Sequence, residues 1–435
     1  MPETAPSSRL FPALALAVAA LCALAAILVL GAAAPSRDLM ALWLAAEEVA
    51  SGHPAQIYAP LEPLFTMRPA MDWYAKAETL GRAGQVYPYL YPPLWAFLLA
   101  PLTGLIGFGS FATAALGLHA GLLALMPGLG LRLAGVALSL RGQILCWLGA
   151  MAALILCHGV PIALFQGQPQ ITVAFLVLFA LDRAARGRAN IAGLAMGLAI
   201  ALKLAPLPLA LIWLIAGQYR AGLVALATGG LLGLVSVALV GWPLHAAFLA
   251  QLHSIDATAL SSKAVASLDQ LWGSLCCSDL AQKIPDLPPE IGTSSTGWYI
   301  LPKTPLWALM QKLALLGTLG FFGWALRRAP DARARAALWA AAIAALAFLG
   351  PIGWLYYYIV PLALLPLTAL HRGPRGLILP LLAVLLLNLE RGPALPAALV
   401  PLGHISTSLS MLVVIAAFLW AAFRPARQNR PLSTE

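Results

Sequence analysis

Charge is scarce in this chain. Of its 435 residues only 10% are Asp, Glu, Lys or Arg, while 61% are hydrophobic; soluble domains carry about 25% charged residues. That shortage excludes a water-facing globule, because too little charge is present to cover one. Cysteine is also sparse, at five residues. Cys22, Cys146 and Cys157 sit in apolar runs and read as small core residues. The neighbours Cys276 and Cys277 can bond to each other only in a strained ring, which predicts free thiols. No Cys, His, Asp or Glu spacing fits a metal site. No basic and aromatic stripe fits a nucleic-acid partner. Nor is there a repeat of fixed period.

What remains is apolar sequence, cut into lengths that suit a bilayer, where a helical span takes about 20 residues. Candidate spans run at 10–31, 92–107, 109–131, 143–163, 168–182, 190–217, 221–241, 306–326, 336–352, 357–370, 376–390 and 403–423. The 190–217 stretch reads as two short helices broken near Pro206. The expected fold is an all-α polytopic membrane protein with about 12 transmembrane helices. Residues 10–423 form its single membrane-embedded domain, between a terminal segment at 1–9 and a tail at 424–435. The first run ends in Gly31-Ala32-Ala33-Ala34 but is too long for a signal peptide. It is expected to stay as an uncleaved span.

The net charge of +10 follows the positive-inside bias of membrane proteins. Arginines cluster in short gaps: Arg183, Arg186 and Arg188; Arg327, Arg328, Arg333 and Arg335; Arg372 and Arg375; Arg424, Arg427 and Arg430. Arg9 precedes the first span. Placing the later clusters in the cytoplasm puts both termini there and exposes two long loops, 32–91 and 242–305, on the opposite side. Counting span by span would export Arg183–Arg188, so one segment between 92 and 217 must be re-entrant or doubled. The expected location is a bacterial-type inner membrane, with the chemistry facing outward.

Ordered loops of that length beside a bundle are more often functional than decorative. In the first, Leu39–Glu48 has apolar residues at helical spacing, predicting a helix along the membrane surface, with Glu47 and Glu48 on a solvated face. Asp38 stands at its start. An N-cap is the commoner job for such a residue. A desolvated carboxylate at this boundary, made more basic, would instead suit a general base for a sugar hydroxyl. Tyr87, Tyr89 and Tyr91 read as an interfacial belt or as stacking partners for a ligand. Gln166-Gly167-Gln168-Pro169-Gln170 is an amide cluster between apolar runs, and buried amides need partners. It either ties helices together or lines a polar cavity. Lys203 lies deep in an apolar stretch, where a cation costs roughly 2.5–3.5 kcal/mol on insertion scales. It either snorkels or pairs with an anionic ligand such as a lipid phosphate. In the second loop, Asp269, Gln270 and Trp272 combine groups that sugar sites use. Pro285–Glu290 resists regular structure. Trp354, Tyr356 and Tyr357 add a further outer aromatic cluster.

The order of these motifs resembles glycosyltransferase family 87, polyprenyl-phosphate-mannose-dependent alpha-mannosyltransferases of the GT-C fold. The likeness is carried by Asp38 soon after the first span, Gly52 and Tyr58, and Tyr91-Pro92-Pro93-Leu94. It continues with Gly167-Gln168 and Gln170, then Ala192-Gly193 leading to Lys203 and Pro206, then Asp269-Gln270, and finally Pro351, Trp354 and Tyr357. It implies an inverting hexosyltransferase that moves a sugar, most simply mannose, from a polyprenyl-phosphate donor to an extracytoplasmic lipid or glycan acceptor. Asp38 would be the base. Lys203 and then Gln168 would meet the departing phosphate, with Tyr91, Gln170, Asp269, Gln270, Trp354, Tyr356 and Tyr357 as further substrate-binding groups. No cofactor, metal or nucleotide-sugar motif is implied. Two positions depart from the pattern. Asp269-Gln270-Leu271 stands where the family often has Asn-Gln-Ser, and Tyr356 stands where it often has His; a tyrosine cannot act as a base near pH 7. A transporter or flippase is the rival reading, and it predicts inverted repeats or charged relays within spans. A non-catalytic scaffold would leave Asp38 dispensable.

Overall fold

The computed structural model describes residues 7–31, 34–294, 297–389 and 405–423. The first six residues and the 424–435 tail with Arg424, Arg427 and Arg430 lie outside them. Helix dominates. Among the described residues six helices are long and apolar enough to cross a membrane: Ala13–Leu30, Phe108–Leu133, Tyr219–Val240, Pro305–Arg327, Ala332–Leu349 and Ser406–Phe423. A seventh results if Leu140–Leu156 and Gly159–Phe165, bent by 77°, form one broken span. Shorter apolar helices lie between them. The dozen spans read from hydropathy therefore include segments that do not reach full length.

Two of these segments bear on the region where span counting conflicts with the arginines. Leu94–Thr103 has ten residues, about 15 Å of helix, half of the roughly 30 Å hydrocarbon core. It packs against the first-loop helix Arg37–Ala50. The 190–217 stretch is broken near Pro206, as expected, into Ala189–Leu202 and Leu207–Ile215. Pro206 starts the second piece, where its fixed φ suits a helix start and its missing N–H is not needed.

Small residues let these helices close up. Gly193 and Gly197, four apart on Ala189–Leu202, face the helix Tyr219–Val240. A Cβ on Gly193 would come within 2.5 Å of the Val224 Cβ, and one on Gly197 would collide with Thr228. Backbones approach this closely only where side chains are absent, as in small-xxx-small contacts between membrane helices. At one end of the bundle Asp182 is fully buried. It accepts from Arg132 at 3.2 Å, from the Arg183 Nε at 2.9 Å and from Arg186 at 3.0 Å. Asp182 and Gln170 share the helix Gln170–Ala185, about 18 Å apart along it. The arginine knot and the amide cluster thus lie at opposite ends.

The start of the first loop packs into the protein. Its helix Arg37–Ala50 buries Leu39, Met40, Ala41, Trp43, Leu44, Ala45, Ala46 and Glu48, too broad a face for a helix half in water. The expectation of a solvated Glu47–Glu48 face is corrected here. Glu48 is 3% exposed, ion-pairs with Lys76 and accepts from the Trp73 indole at 3.1 Å. The loop tyrosines are core residues too: Tyr58, Tyr89 and Tyr91 are buried, and the Tyr58 hydroxyl donates to the Tyr91 carbonyl at 2.8 Å.

The strands among the described residues all lie in the second loop: β1 (Thr258–Ser261), β2 (Gln282–Pro285) and β3 (Gly297–Pro302). They form an antiparallel sheet in the order β1-β3-β2, with Thr258 opposite Pro302 and Gln282 opposite Ile300. This element was not expected of an all-α chain. The strands are four to six residues long, too short for a period of two to stand out. Cys276 and Cys277 are disulfide-bonded, which corrects the expectation of free thiols. They meet where the helix Leu268–Cys276 ends and Cys277 leaves helical geometry at φ −142°.

Candidate active site

The site begins with a glycine turn. Gly167 adopts φ +65°, and a Cβ there would sit 2.8 Å from the Leu39 Cβ, so only glycine lets the amide cluster reach the first loop. The contact is specific. The Gln166 carbonyl accepts from the Asp38 and Leu39 N–H groups, each at 3.2 Å, and its side-chain oxygen accepts from the Arg37 N–H at 3.1 Å. A helix start leaves its first N–H groups without partners, and here a distant amide satisfies them. The cap role considered for Asp38 is therefore corrected. Ser36 holds the N-cap position, its side chain makes no capping bond, and the Asp38 carboxylate is free to turn elsewhere.

It turns into a cavity of about 450 Å³. Asp38, Tyr91, Gln168, Gln170, Lys203, Trp354, Tyr356 and Tyr357 all line it. One loop, two amides, a helix break and a late turn are thus brought together from across the chain. The remaining two predicted residues are not. Asp269 ion-pairs with the fully buried Lys303 at 2.6 Å and accepts from the Trp307 indole at 2.9 Å and the Gln311 amide at 3.2 Å. Gln270 donates to the Thr407 hydroxyl at 3.0 Å. Both fasten the second loop to the bundle, and neither reaches the cavity.

Within the cavity the polar groups are interlocked. The Tyr91 hydroxyl donates to the Gln168 side-chain oxygen at 2.7 Å, while the Gln168 side chain also acts on the Asp38 carboxyl. The break before Pro206 ends helical geometry at Lys203, whose backbone is extended at φ −157°. Its ammonium lies over three tyrosine rings, 4.6 Å from the Tyr357 centroid, 5.8 Å from Tyr356 and 5.9 Å from Tyr91. Such a cage holds a cation while leaving its N–H donors for a ligand. Trp354 stacks on Tyr356 at 5.8 Å. The side-chain oxygen of Gln170 is buried without a partner, an acceptor in wait for a hydroxyl.

What exposure Asp38 has is toward this cavity. Burial pushes its carboxyl up from the ordinary 3.8 to about 7, against the opposing pull of Lys203, Arg37 and the Gln168 amide. Desolvation wins because three partners offset only part of what water supplied. A carboxylate half-ionised near neutrality is suited to take a proton from a hydroxyl. The far wall, with Leu209, Phe248, Leu252, Ile343 and Leu346, is apolar and suits a hydrocarbon chain.

Sequence reasoning missed Arg37 and Asp286, and it read Tyr87 only as a belt residue or a stacking partner. Arg37 donates to the Tyr87 hydroxyl at 3.2 Å and to Asp286 at 2.9 Å, latching the two long loops together beside the cavity. No local pattern marks a pair 249 residues apart.

No curated protein matches the chain. The profile of glycosyltransferase family 87 matches residues 89–349, more than half of the sequence. That stretch contains Tyr91, Gln168, Gln170 and Lys203; Asp38 and the 354–357 aromatics lie outside it and join it through the shared cavity. The chain belongs to glycosyltransferase family 87, and is a glycosyltransferase built of membrane helices.

Proposed function

We propose that this enzyme transfers a hexose, mannose in the simplest case, from a polyprenyl-phosphate donor to a lipid or glycan acceptor on the extracytoplasmic side. The fold would be GT-C-like with about twelve passes, shorter helices included. The observation that carries this reading is the pairing in one cavity of a desolvated carboxylate with a tyrosine-caged lysine, beside an apolar wall. An enzyme using a soluble nucleotide sugar has no need of that wall.

The acceptor hydroxyl gives its proton to the Asp38 carboxylate as its oxygen attacks the anomeric carbon. The bond from that carbon to the phosphate oxygen breaks on the opposite face, and its electron pair leaves with polyprenyl phosphate. A beta-linked donor then gives an alpha product. Lys203 meets the charge growing on the departing phosphate, a stabilisation strongest where water is excluded. Gln168 is engaged by Tyr91 and Asp38, so it holds the base in place rather than serving the phosphate. Gln170, Trp354 and Tyr356 offer an acceptor and stacking faces to the sugar. The side of the membrane is argued from charge: the Arg132–Asp182–Arg183–Arg186 knot lies at the other end from Asp38, as the positive-inside bias requires of a cytoplasmic face.

The test is transfer of labelled mannose from polyprenyl-phosphate mannose in membranes carrying the full chain or its Asp38→Asn variant. The expected result is a loss of at least about 100-fold, the scale of a missing general base. Undiminished transfer by the Asn variant would remove Asp38 from the chemistry.

A further inference from the structure

The first loop carries positive charge that the transfer chemistry above does not use. Arg68 follows Met67, a cavity-lining residue held at φ 61°. A non-glycine residue stays in that region only when its surroundings fix it. Here they do: the Phe65 N–H donates to the Thr258 hydroxyl at 2.9 Å and the Trp298 indole donates to the Thr66 carbonyl at 3.2 Å, tying the segment to the small sheet. The Arg68 side chain is half-buried, and its Nε is sealed from solvent with no hydrogen-bond partner. No carboxylate lies within ion-pair distance of it among the described residues. Arg37, next to Asp38, has a second sealed and unpartnered Nε, although its Nη1 binds Asp286. Arg37, Arg68 and Asp286 all act on the Tyr74 hydroxyl, so they form one cluster. The one carboxylate of this cluster, Asp286, is paired with Arg37, which leaves Arg68 without one.

A partly buried guanidinium with open donors is costly to leave unpaired, and its planar fork fits phosphate or carboxylate in two-point fashion. Lys203 approaches Asp38 from the broken helix, and Arg37 from the first loop. Asp38 feels both Lys203 and Arg37. We infer that Arg68, together with Arg37, forms a second anion subsite, distinct from Lys203, which holds a phosphate or carboxylate carried by the acceptor. The inference rests on the reading that Asp38 deprotonates the acceptor hydroxyl and Lys203 meets the donor phosphate. A hydroxyl within reach of Asp38 places a neighbouring anionic group of the same molecule against these arginines.

The experiment uses the full chain in neutral detergent and follows inorganic phosphate binding by isothermal titration, with and without saturating polyprenyl phosphate. A parallel arm replaces inorganic phosphate with micelles doped with phosphatidylglycerol. Phosphate is expected to bind while polyprenyl phosphate is bound, and Arg68→Gln is expected to weaken that binding at least tenfold while Arg68→Lys weakens it less. Polyprenyl phosphate should bind both proteins alike. Competition by the doped micelles would identify the anion source as a lipid headgroup; its absence would identify an anionic glycan. Either assigns the site. In the wild type, phosphate should also shield Arg68 from phenylglyoxal, read by mass spectrometry, a measurement that needs no folded variant. Unchanged phosphate affinity in Arg68→Gln, phosphate binding that disappears once polyprenyl phosphate is present, or unshielded Arg68 would overturn the inference. Failure of polyprenyl phosphate to bind either protein would instead strike the donor reading.

Discussion

If Asp38 is the base, the pH dependence of transfer should carry its signature. The carboxyl is pushed up to about 7 by burial, with Lys203, Arg37 and Gln168 pulling the other way. The donor-limited rate should therefore fall tenfold for each pH unit below 7, leaving about 1% of the plateau at pH 5. A water-exposed aspartate near 3.9 would give a flat profile over that range. Substitution sharpens the test. Lys203→Met removes the strongest of the three opposing influences, so the acid limb should move to higher pH in addition to any loss of plateau rate. Stability should run the other way. The folded protein binds the Asp38 proton more tightly than the unfolded chain, so this group's contribution to stability is full below about pH 4 and is lost as pH rises through 7. From 3.8 to about 7, at about 1.4 kcal/mol per tenfold in proton affinity, that loss approaches roughly 4 kcal/mol. Asp38→Asn removes it. The Asn variant should thus be inactive yet as heat-stable as the wild type, or more so, at pH 8 in detergent. An acid limb below pH 5, or one that Lys203→Met leaves in place, would refute the assignment.

Other outcomes follow from the packing. Lys303→Met strands the Asp269 carboxylate in a buried site and should cost about 3–5 kcal/mol, read as a lower unfolding midpoint; adding Asp269→Leu should recover most of it. Gly197→Leu collides with Thr228 on the neighbouring helix and should abolish accumulation of folded protein in membranes, while Gly230→Ala, with open space around it, should accumulate normally. Tyr91→Phe frees the Gln168 amide from its 2.7 Å partner, removing a contact worth about 1 kcal/mol. Transfer should slow by roughly fivefold with little change in midpoint.

Composition and hydropathy made the solvent of this fold legible, and the helix break at Pro206 could be read from one proline beside one misplaced lysine. Asp38, Gln168 and Lys203 were legible for a related reason. A polar group in an apolar stretch must have a partner, so each was conspicuous wherever its partner lay. The same logic failed for the loops. Glu48 looked solvated because nothing nearby in sequence betrays Lys76 or Trp73 as its partners. Asp269 and Gln270 have the composition of a sugar site, but the groups they satisfy, Lys303, Gln311 and Thr407, are up to 137 residues away. Both cases turn on one physical fact. A buried carboxylate and a catalytic one share a sequence signature, since each is an acid in apolar surroundings, and only the count of its partners separates them. Asp269 has a lysine, an indole and an amide at hydrogen-bonding distance, which together take up three of its roughly four lone-pair sites. The Asp38 carboxyl feels one amide and two more remote cations, and opens on a hollow. Under-satisfaction separates Asp38 from Asp269, and no reading of residue order could have measured it.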